Sequence, residues 1–192
     1  YYNFSNEPKS GYHYVTGTES YYEGQFTADM PDLNLGSELL RAEIKNIMEF
    51  WLLKGVGGFR VDAAKEFYTG SVAKNVEVLS WLQTTAASIK PDVYMVAEVW
   101  ENSHVIISDY HKSGFTSIFN YPFGNTDGKL VKVVNGRGNA AMVTTWATAL
   151  PTIPSIRTPA ASYGAAPTLI SSREKPAKES VDLISVTTWY GR

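Results

Sequence analysis

The sequence predicts an α/β fold built on a parallel sheet, and three stretches of the chain support this prediction. Two short apolar runs, residues 56–62 and 93–98, have the length of buried strands, and each ends on an acidic residue. Between them, residues 71–89 carry apolar side chains at helical spacing. Strand, helix and strand in this order form a βαβ unit, whose right-handed crossover returns the chain to a parallel strand.

The chain before these strands divides into an irregular segment and a helix. Residues 1–36 are rich in Tyr, Gly, Ser and Asn and lack helical periodicity, which predicts loops with short strands over 12–15 and 21–26. Ser37 is a good N-cap and Gly55 a C-terminal stop, so a helix is predicted between them. The apolar stripe of this helix consists of Leu40, Ile44, Ile47, Met48 and Trp51.

The chain after the second strand is less regular. Residues 115–123 are predicted to contain a further strand, residues 129–134 a short helix, and Asn139 is predicted to cap a last helix through residue 146. Residues 148–192 hold five of the nine prolines and many Ser, Thr and Ala residues, with little periodicity. This composition is typical of loops or disorder.

The composition argues against several functional classes. With 192 residues, 44% of them hydrophobic, the chain can bury one sizeable core, and its formal net charge of −2 argues against a nucleic-acid-binding protein. No apolar run approaches the roughly 18 residues of a membrane span, so no membrane segment is predicted. The chain has no cysteine, which excludes disulfides and is compatible with either a secreted or a cytoplasmic location.

Acidic side chains stand at the ends of the two predicted strands. If these strands are neighbours, about 4.8 Å apart, the carboxyl groups of Asp62 and Glu98 come within roughly 5–6 Å of each other. Retaining glycosidases place their two carboxyl groups about 5–5.5 Å apart. Taken alone, Asp62 is equally well explained as a helix cap and Glu98 as a solvated strand end. Arg60 lies on the same strand face as Asp62 and favours the catalytic interpretation, because a guanidinium orients a neighbouring carboxylate and keeps it ionised.

Three segments together resemble the α-amylase family of glycoside hydrolases. Residues 58–65 resemble the family's strand-four motif, residues 98–100 its strand-five motif, and residues 30–34 the short motif near the end of the domain inserted after strand three. The resemblance covers about residues 1–147 and implies a partial (β/α)₈ TIM barrel.

The resemblance also implies a division of the chain into three parts. Residues 1–36 would be the end of the inserted loop-rich domain, which forms one wall of the sugar cleft. Residues 37–147 would be the partial barrel that carries the catalytic strands. Residues 148–192 form an atypical tail, interpreted as disordered or out of frame.

Each candidate site residue receives a role from this resemblance. Asp62 would be the nucleophile, Glu98 the acid/base and Arg60 the residue that positions Asp62. We expect Arg60 to hold Asp62 ionised, and apolar surroundings and nearby negative charge to raise the pKa of Glu98. The candidate sugar contacts are Lys65, Trp100 and Glu66, the last of which stands where the family's amylases usually carry a His.

The implied partner is an α-glucan or malto-oligosaccharide substrate, and no organic cofactor is required. Calcium is the metal that the resemblance suggests, because Asp32 lies at a position that binds calcium in some relatives. An Asp that follows Pro in a turn is also explained as a turn residue, and most of the six to eight oxygens that calcium prefers would have to come from elsewhere.

The predicted function is hydrolysis of starch-like α-glucans by a retaining mechanism. The family's next motif, Asn-His-Asp, would supply a third carboxylate, but no histidine follows His111, so the chain is expected to be incomplete and weakly active. Two alternatives stay open. One is an α-glucosidase or transglycosylase of the same family, and the other is a catalytically inactive, amylase-like binding or scaffold protein.

Overall fold

The computed structural model of the chain describes residues 1–139, 141 and 183–186, and within them two sheets. The first sheet is small and antiparallel. Its strands are β1 (Phe4–Ser5), β2 (Tyr12–Tyr14) and β3 (Tyr21–Glu23), in the order β1-β3-β2. The two strands predicted in this segment are therefore present, in shorter form.

The second sheet is parallel and carries the acidic strand ends. Its strands are β4 (Gly58–Val61), β5 (Tyr94–Ala97), β6 (Ser117–Ile118) and β7 (Leu183–Val186), in the order β6-β5-β4-β7. Val61 pairs with Ala97 at the carboxyl ends of β4 and β5. Asp62 and Glu98 are the next residues, so they leave the sheet side by side at the same edge.

Strand β7 comes from the segment interpreted as an atypical tail. It pairs with β4 in parallel, from Gly58 opposite Leu183 to Val61 opposite Val186. The other residues of that tail lie outside the described residues, as does nearly all of the helix predicted to follow Asn139.

The two long helices begin and end close to the predicted residues. In α1 (Glu38–Leu53), the Ser37 side chain accepts a hydrogen bond from the Leu40 N–H, and Gly55 follows with a φ of 93°, a conformation that favours glycine. Helix α2 (Val72–Ile89) connects β4 to β5 and completes the predicted βαβ unit. The shorter helices are α3 (His104–Tyr110), α4 (Tyr121–Gly124) and α5 (Lys129–Val134).

The core lies where β4 and β5 meet the helices. Phe59 of β4 and Met95 of β5 are completely buried, and they belong to one cluster with residues of α1 and α2. Helix α1 contributes Leu40, Met48 and Leu52 as its buried residues.

The predicted stripe of α1 was wrong in part, because Ile47 and Trp51 are exposed. The side chain that takes their place in the core is Leu52, four residues after Met48 on the same helix face. Within the described parts of the chain, no helix has the length and apolar character that crossing a membrane requires.

Candidate active site

Arg60 joins the two acidic side chains at the carboxyl edge of the parallel sheet. Its Nη1 lies 2.6 Å from Asp62 Oδ1, and its Nη2 lies 2.9 Å from Glu98 Oε1. The two carboxyl groups are also hydrogen-bonded to each other. A planar guanidinium that contacts two carboxyl groups at once fixes the orientation of both.

The backbone around Ala63 holds Glu98 against the end of β4. The Glu98 N–H donates to the Val61 carbonyl at 2.8 Å, and the Glu98 carbonyl accepts from the Ala64 N–H at 2.9 Å. Ala63 has a φ of 45°, which is uncommon for a residue with a Cβ, and its N–H donates to Glu98 Oε2 at 3.3 Å. This conformation costs roughly 1–3 kcal/mol and turns an amide towards the carboxylate.

The protonation order of the two carboxyls is the reverse of the one expected from sequence. The hydrogen bond with Glu98 and burial raise the pKa of Asp62, and they outweigh Arg60. Burial alone would raise the pKa of Glu98, but hydrogen bonds from Asp62, Tyr121 and the Ala63 amide, with the Arg60 charge, lower it to about 2. Because Glu98 receives more donors, its pKa lies below that of Asp62.

Tyr121 is a site residue that the sequence reasoning missed. Its hydroxyl donates to Glu98 Oε1 at 2.6 Å, and its ring stacks on Trp100 with 4.7 Å between centroids and 25° between planes. Trp100 is 59% exposed, so part of an aromatic side chain borders the site. Tyr121 comes after strand β6, as Asp62 comes after β4. A search for polar side chains at strand ends, which identified Asp62, would also have identified Tyr121.

Two of the predicted sugar contacts have partners within the protein. Lys65 Nζ lies 3.3 Å from Glu101 Oε2 and 3.2 Å from the Trp100 carbonyl oxygen. The Glu66 carbonyl accepts a hydrogen bond from Gln25 Nε2 at 2.8 Å, which ties residues 1–36 to the loop after β4. Both residues therefore belong to the rim of the site, beside the carboxyl pair.

The buried amide of Asn75 holds this loop from the helix side. Asn75 Oδ1 accepts from the Tyr68 N–H at 2.8 Å, and Nδ2 donates to the Lys65 carbonyl at 2.6 Å and to the Tyr110 hydroxyl at 3.0 Å. Asn75 is 1% exposed, and these bonds satisfy its oxygen and both amide hydrogens. The first residues of α2 consequently fix the backbone that follows Asp62.

Among the residues that the structure describes, two hollows adjoin the carboxyl pair. An open cleft of about 470 Å³ is lined by Arg60, Glu98, Phe119, Tyr121 and residues in and next to α4. A second cavity of about 30 Å³, enough for a water molecule, is lined by Asp62 and residues of the loop after β4 and of the N-terminal segment. Of the two, only the open cleft has room for a sugar ring.

Asp32, the candidate calcium ligand, is hydrogen-bonded within the N-terminal segment. Its Oδ2 accepts a hydrogen bond from the Gln25 N–H at 2.9 Å, and burial raises the pKa of its carboxyl group. Among residues 1–139, 141 and 183–186, no group of three or more His, Cys, Asp and Glu side chains is placed to hold a metal ion. Calcium needs six to eight oxygens, so the geometry of Asp32 supports the turn role.

Comparison with known proteins gives a consistent result. Residues 3–157 match the Alpha-amylase family, described as alpha amylase, catalytic domain. Alpha-amylase 3 of Dictyoglomus thermophilum is 42% identical over 119 residues, which cover 62% of this chain and 22% of that protein. The amino acid transporter heavy chain SLC3A1 of Mus musculus is 29% identical over 111 residues, 54% of this chain and 16% of that protein.

The solved structure of Eubacterium rectale Amy13B superposes with a TM-score of 0.73 and 41% identity over 80% of this chain and 30% of that one. The chain therefore spans less than a third of the length of these relatives. The family match continues to residue 157, ten residues past the end of the resemblance found by inspection. The chain belongs to the alpha-amylase family, and its parallel strands β4, β5 and β6 with the connecting helices are a fragment of that family's (β/α)₈ catalytic barrel.

Proposed function

We propose that the chain carries the catalytic carboxyl pair of a retaining glycoside hydrolase that cleaves α-glucosidic bonds in starch-like glucans. One observation carries the proposal, namely the contact of a single guanidinium, Arg60, with both Asp62 and Glu98 at the ends of adjacent parallel strands. A retaining mechanism requires two carboxyl groups close together, one of them oriented as a nucleophile.

The reaction proceeds in two displacements. The Asp62 carboxylate attacks the anomeric carbon while the glycosidic C–O bond breaks, and Glu98 donates its proton to the leaving oxygen. In the second step Glu98 takes a proton from water, whose oxygen attacks the same carbon and releases Asp62. The donors around Glu98 lower its pKa, so Glu98 must gain a proton before the first step.

The rim residues would bind the sugar chain. The exposed Trp100 offers an aromatic face to a sugar ring, while Lys65 and Glu66 lie on the loop after β4, beside the nucleophile. Residues 1–36 would form the opposite wall as the end of the inserted domain. Their link to the barrel through Gln25 and Glu66 supports this division of the chain.

Release of reducing ends from soluble starch tests the proposal. We expect weak hydrolysis by the chain, and losses of about 10²–10⁴-fold for Glu98→Gln and at least as large for Asp62→Asn. The matched controls are Glu77→Gln and Asp109→Asn, on the outer helices, which should keep the activity. A product released as the α-anomer, observed by NMR, indicates retention, whereas equal rates for the chain and Asp62→Asn would remove the catalytic claim.

Substrate comparison separates the finer specificities. Faster cleavage of starch than of maltose or isomaltose supports an amylase, and the opposite order supports an α-glucosidase. New oligosaccharides longer than the substrate would indicate a transglycosylase. These readouts use the same chain and the same two active-site variants.

A binding role is the second candidate, favoured by the similarity to a transporter heavy chain. In that case the barrel fragment would bind a protein partner and catalyse no hydrolysis. The contacts of Arg60 with Asp62 and Glu98 favour the enzyme. A chain that hydrolyses no glucan in these assays would support the binding role.

A further inference from the structure

The aromatic pair Trp100 and Tyr121 borders the carboxyl pair and has no part in the two-step scheme above. The rings stack at 4.7 Å, and Phe119 meets Tyr121 edge-on with 6.2 Å between centroids. Tyr121 is partly buried and lines the open cleft together with Glu98. The ring is therefore held on two sides while its hydroxyl points at a catalytic group.

The donors around Glu98 come from different elements. Arg60 Nη2, at 2.9 Å, and the Ala63 N–H, at 3.3 Å, belong to β4 and the turn that follows it. Tyr121 belongs to α4, and its hydroxyl, at 2.6 Å from Oε1, is the shortest of these contacts. Oε1 thus accepts from Arg60 and Tyr121 together, and both of these residues line the open cleft.

We propose that Tyr121 is a positioning residue for Glu98, which its hydroxyl holds against Arg60 in the resting site while Trp100 fixes the Tyr121 ring. This inference rests on the function proposed above, because it assigns Tyr121 to the acid/base of that reaction. A leaving-group oxygen that approaches Oε1 must take the place of the Tyr121 hydroxyl, since that position on Oε1 is filled. Binding of the substrate and displacement of the Tyr121 hydroxyl from Glu98 then occur together.

The release of Tyr121 removes one of the donors that keep Glu98 ionised. A hydrogen bond donated to a carboxylate favours its ionised form, so the Tyr121 hydroxyl helps to lower the pKa of Glu98. When the hydroxyl moves away, Glu98 loses this donor and its pKa rises. The change brings Glu98 closer to the protonated form that the first displacement needs.

The charged and titratable groups that act on Glu98 are Arg60, Asp62 and Tyr121. Burial and the hydrogen bond to Glu98 in turn raise the pKa of Tyr121, so its hydroxyl stays protonated and able to donate at neutral pH. Tyr121 therefore acts as a neutral donor throughout the working pH range. A phenylalanine at this position keeps the stacked ring and removes the hydroxyl alone.

NMR titration of the Glu side-chain carboxyl carbons tests the proposal without any need for activity. The Glu98 signal is assigned by its absence in Glu98→Gln. In Tyr121→Phe we expect the pKa of Glu98 to rise by about one unit or more from about 2, because a hydrogen bond to a charged group is lost. Trp100→Ala should give a smaller rise, because the ring of Tyr121 is then held less firmly.

Tyr94→Phe is the matched control. The Tyr94 hydroxyl also lies in a 2.7 Å hydrogen bond, with Ser117, but at the opposite end of β5 from Glu98. We expect no change in the titration of Glu98 in this variant. An unchanged Glu98 titration in Tyr121→Phe would overturn the inference. If Tyr121→Phe does not fold, Trp100→Ala provides the test, because Trp100 is 59% exposed and its loss should not prevent folding. If the pKa of Glu98 does not rise in Trp100→Ala, the inference is overturned as well.

The pH dependence of starch hydrolysis separates this inference from the proposed function. With Tyr121→Phe the alkaline limb of the kcat/KM profile should move to higher pH, because the acid keeps its proton longer. A chain that hydrolyses no starch contradicts the proposed function and leaves the titration result standing. A chain that hydrolyses starch with identical pH profiles in both proteins contradicts the role of Tyr121.

Discussion

The two sides of the candidate site are held together in different ways. On the barrel side, β4 and β5 pair through backbone hydrogen bonds over a core in which Phe59 and Met95 are fully buried. On the other side, residues 1–36 form an exposed three-stranded sheet with few buried residues. The Gln25 side chain links the two sides, since it donates to the Glu66 carbonyl and accepts from the Thr69 hydroxyl.

Because of this difference, the position of the carboxyl pair and the shape of the cleft depend on different parts of the chain. Strand register places Asp62 beside Glu98, so a change that separates β4 from β5 should abolish both folding and chemistry. The N-terminal segment meets the barrel side through polar contacts, which contribute about 0.5–1.5 kcal/mol each, and through Leu35, which is buried in the core cluster. Changes there should alter the wall of the cleft and leave the pair in place.

Gly58→Ala should give the largest effect, because it separates the two central strands. A Cβ at Gly58 would lie 1.7 Å from the Tyr94 carbonyl oxygen. The two backbones would have to move apart to remove this clash, and that movement would break the pairing of β4 with β5. We expect a loss of at least ~4 kcal/mol in the free energy of unfolding, measured by urea denaturation. Gly124→Ala is the control, since nothing lies within 4 Å of the added atom. A Gly58→Ala chain as stable as this control would contradict the close approach of β4 and β5.

Asn75→Ala should give the next largest effect, because it removes the buried amide behind the loop. The Tyr68 N–H and the Lys65 carbonyl would lose their partner in a site that is 1% exposed, at a cost of about 2–4 kcal/mol. Denaturation measures this loss, and starch hydrolysis should fall with it. Gln83→Ala, about two turns further along α2, is a control for the loss of an amide from the same helix. A loss no larger than that of the control would show that Asn75 does not fix the loop.

Much of the barrel side could be predicted from sequence, for a physical reason. Buried parallel strands are short apolar runs, and the helix between them repeats every three to four residues, so both leave a periodic signal. The acidic residues at the ends of β4 and β5 then follow from the register. Which residues of a helix are buried depends on the elements that pack against it, and the sequence pattern does not show these. The periodic pattern of α1 therefore placed Ile47 and Trp51 in the core, although both are exposed.

The protonation of the pair could not be predicted in the same way. Arg60 and Asp62 lie two residues apart on one strand face, which suggested an ionised Asp62. The donors that reverse the order reach Glu98 from elsewhere, namely Ala63 through its unusual φ and Tyr121 from beyond β6. Contacts of this kind depend on the three-dimensional arrangement, and no local pattern of residue types encodes them.

Gln25→Ala tests the weaker side of the comparison. Loss of the hydrogen bond to the Glu66 carbonyl should lower the free energy of unfolding by about 1 kcal/mol. Limited proteolysis should cut residues 1–36 faster, while the amides of β5 keep their protection from hydrogen exchange. Gln83→Ala again serves as the amide control, and it should leave the rate of cleavage within residues 1–36 unchanged. Equal cleavage rates in Gln25→Ala and the parent chain would show that this hydrogen bond does not hold the N-terminal wall.

His111→Gln should give the smallest effect and distinguishes the two sides by pH. Burial lowers the pKa of His111 below its ordinary value of 6.5, so the folded chain resists a proton that the unfolded chain accepts. Stability is therefore expected to fall as the pH drops below 6.5, by less than ~1.4 kcal/mol per pH unit. Urea denaturation at about pH 7.5 and about pH 5.5, on either side of the ordinary histidine pKa, should show a smaller difference for His111→Gln than for the parent chain. An equal difference in the two proteins would mean that His111 does not contribute to the pH dependence of stability.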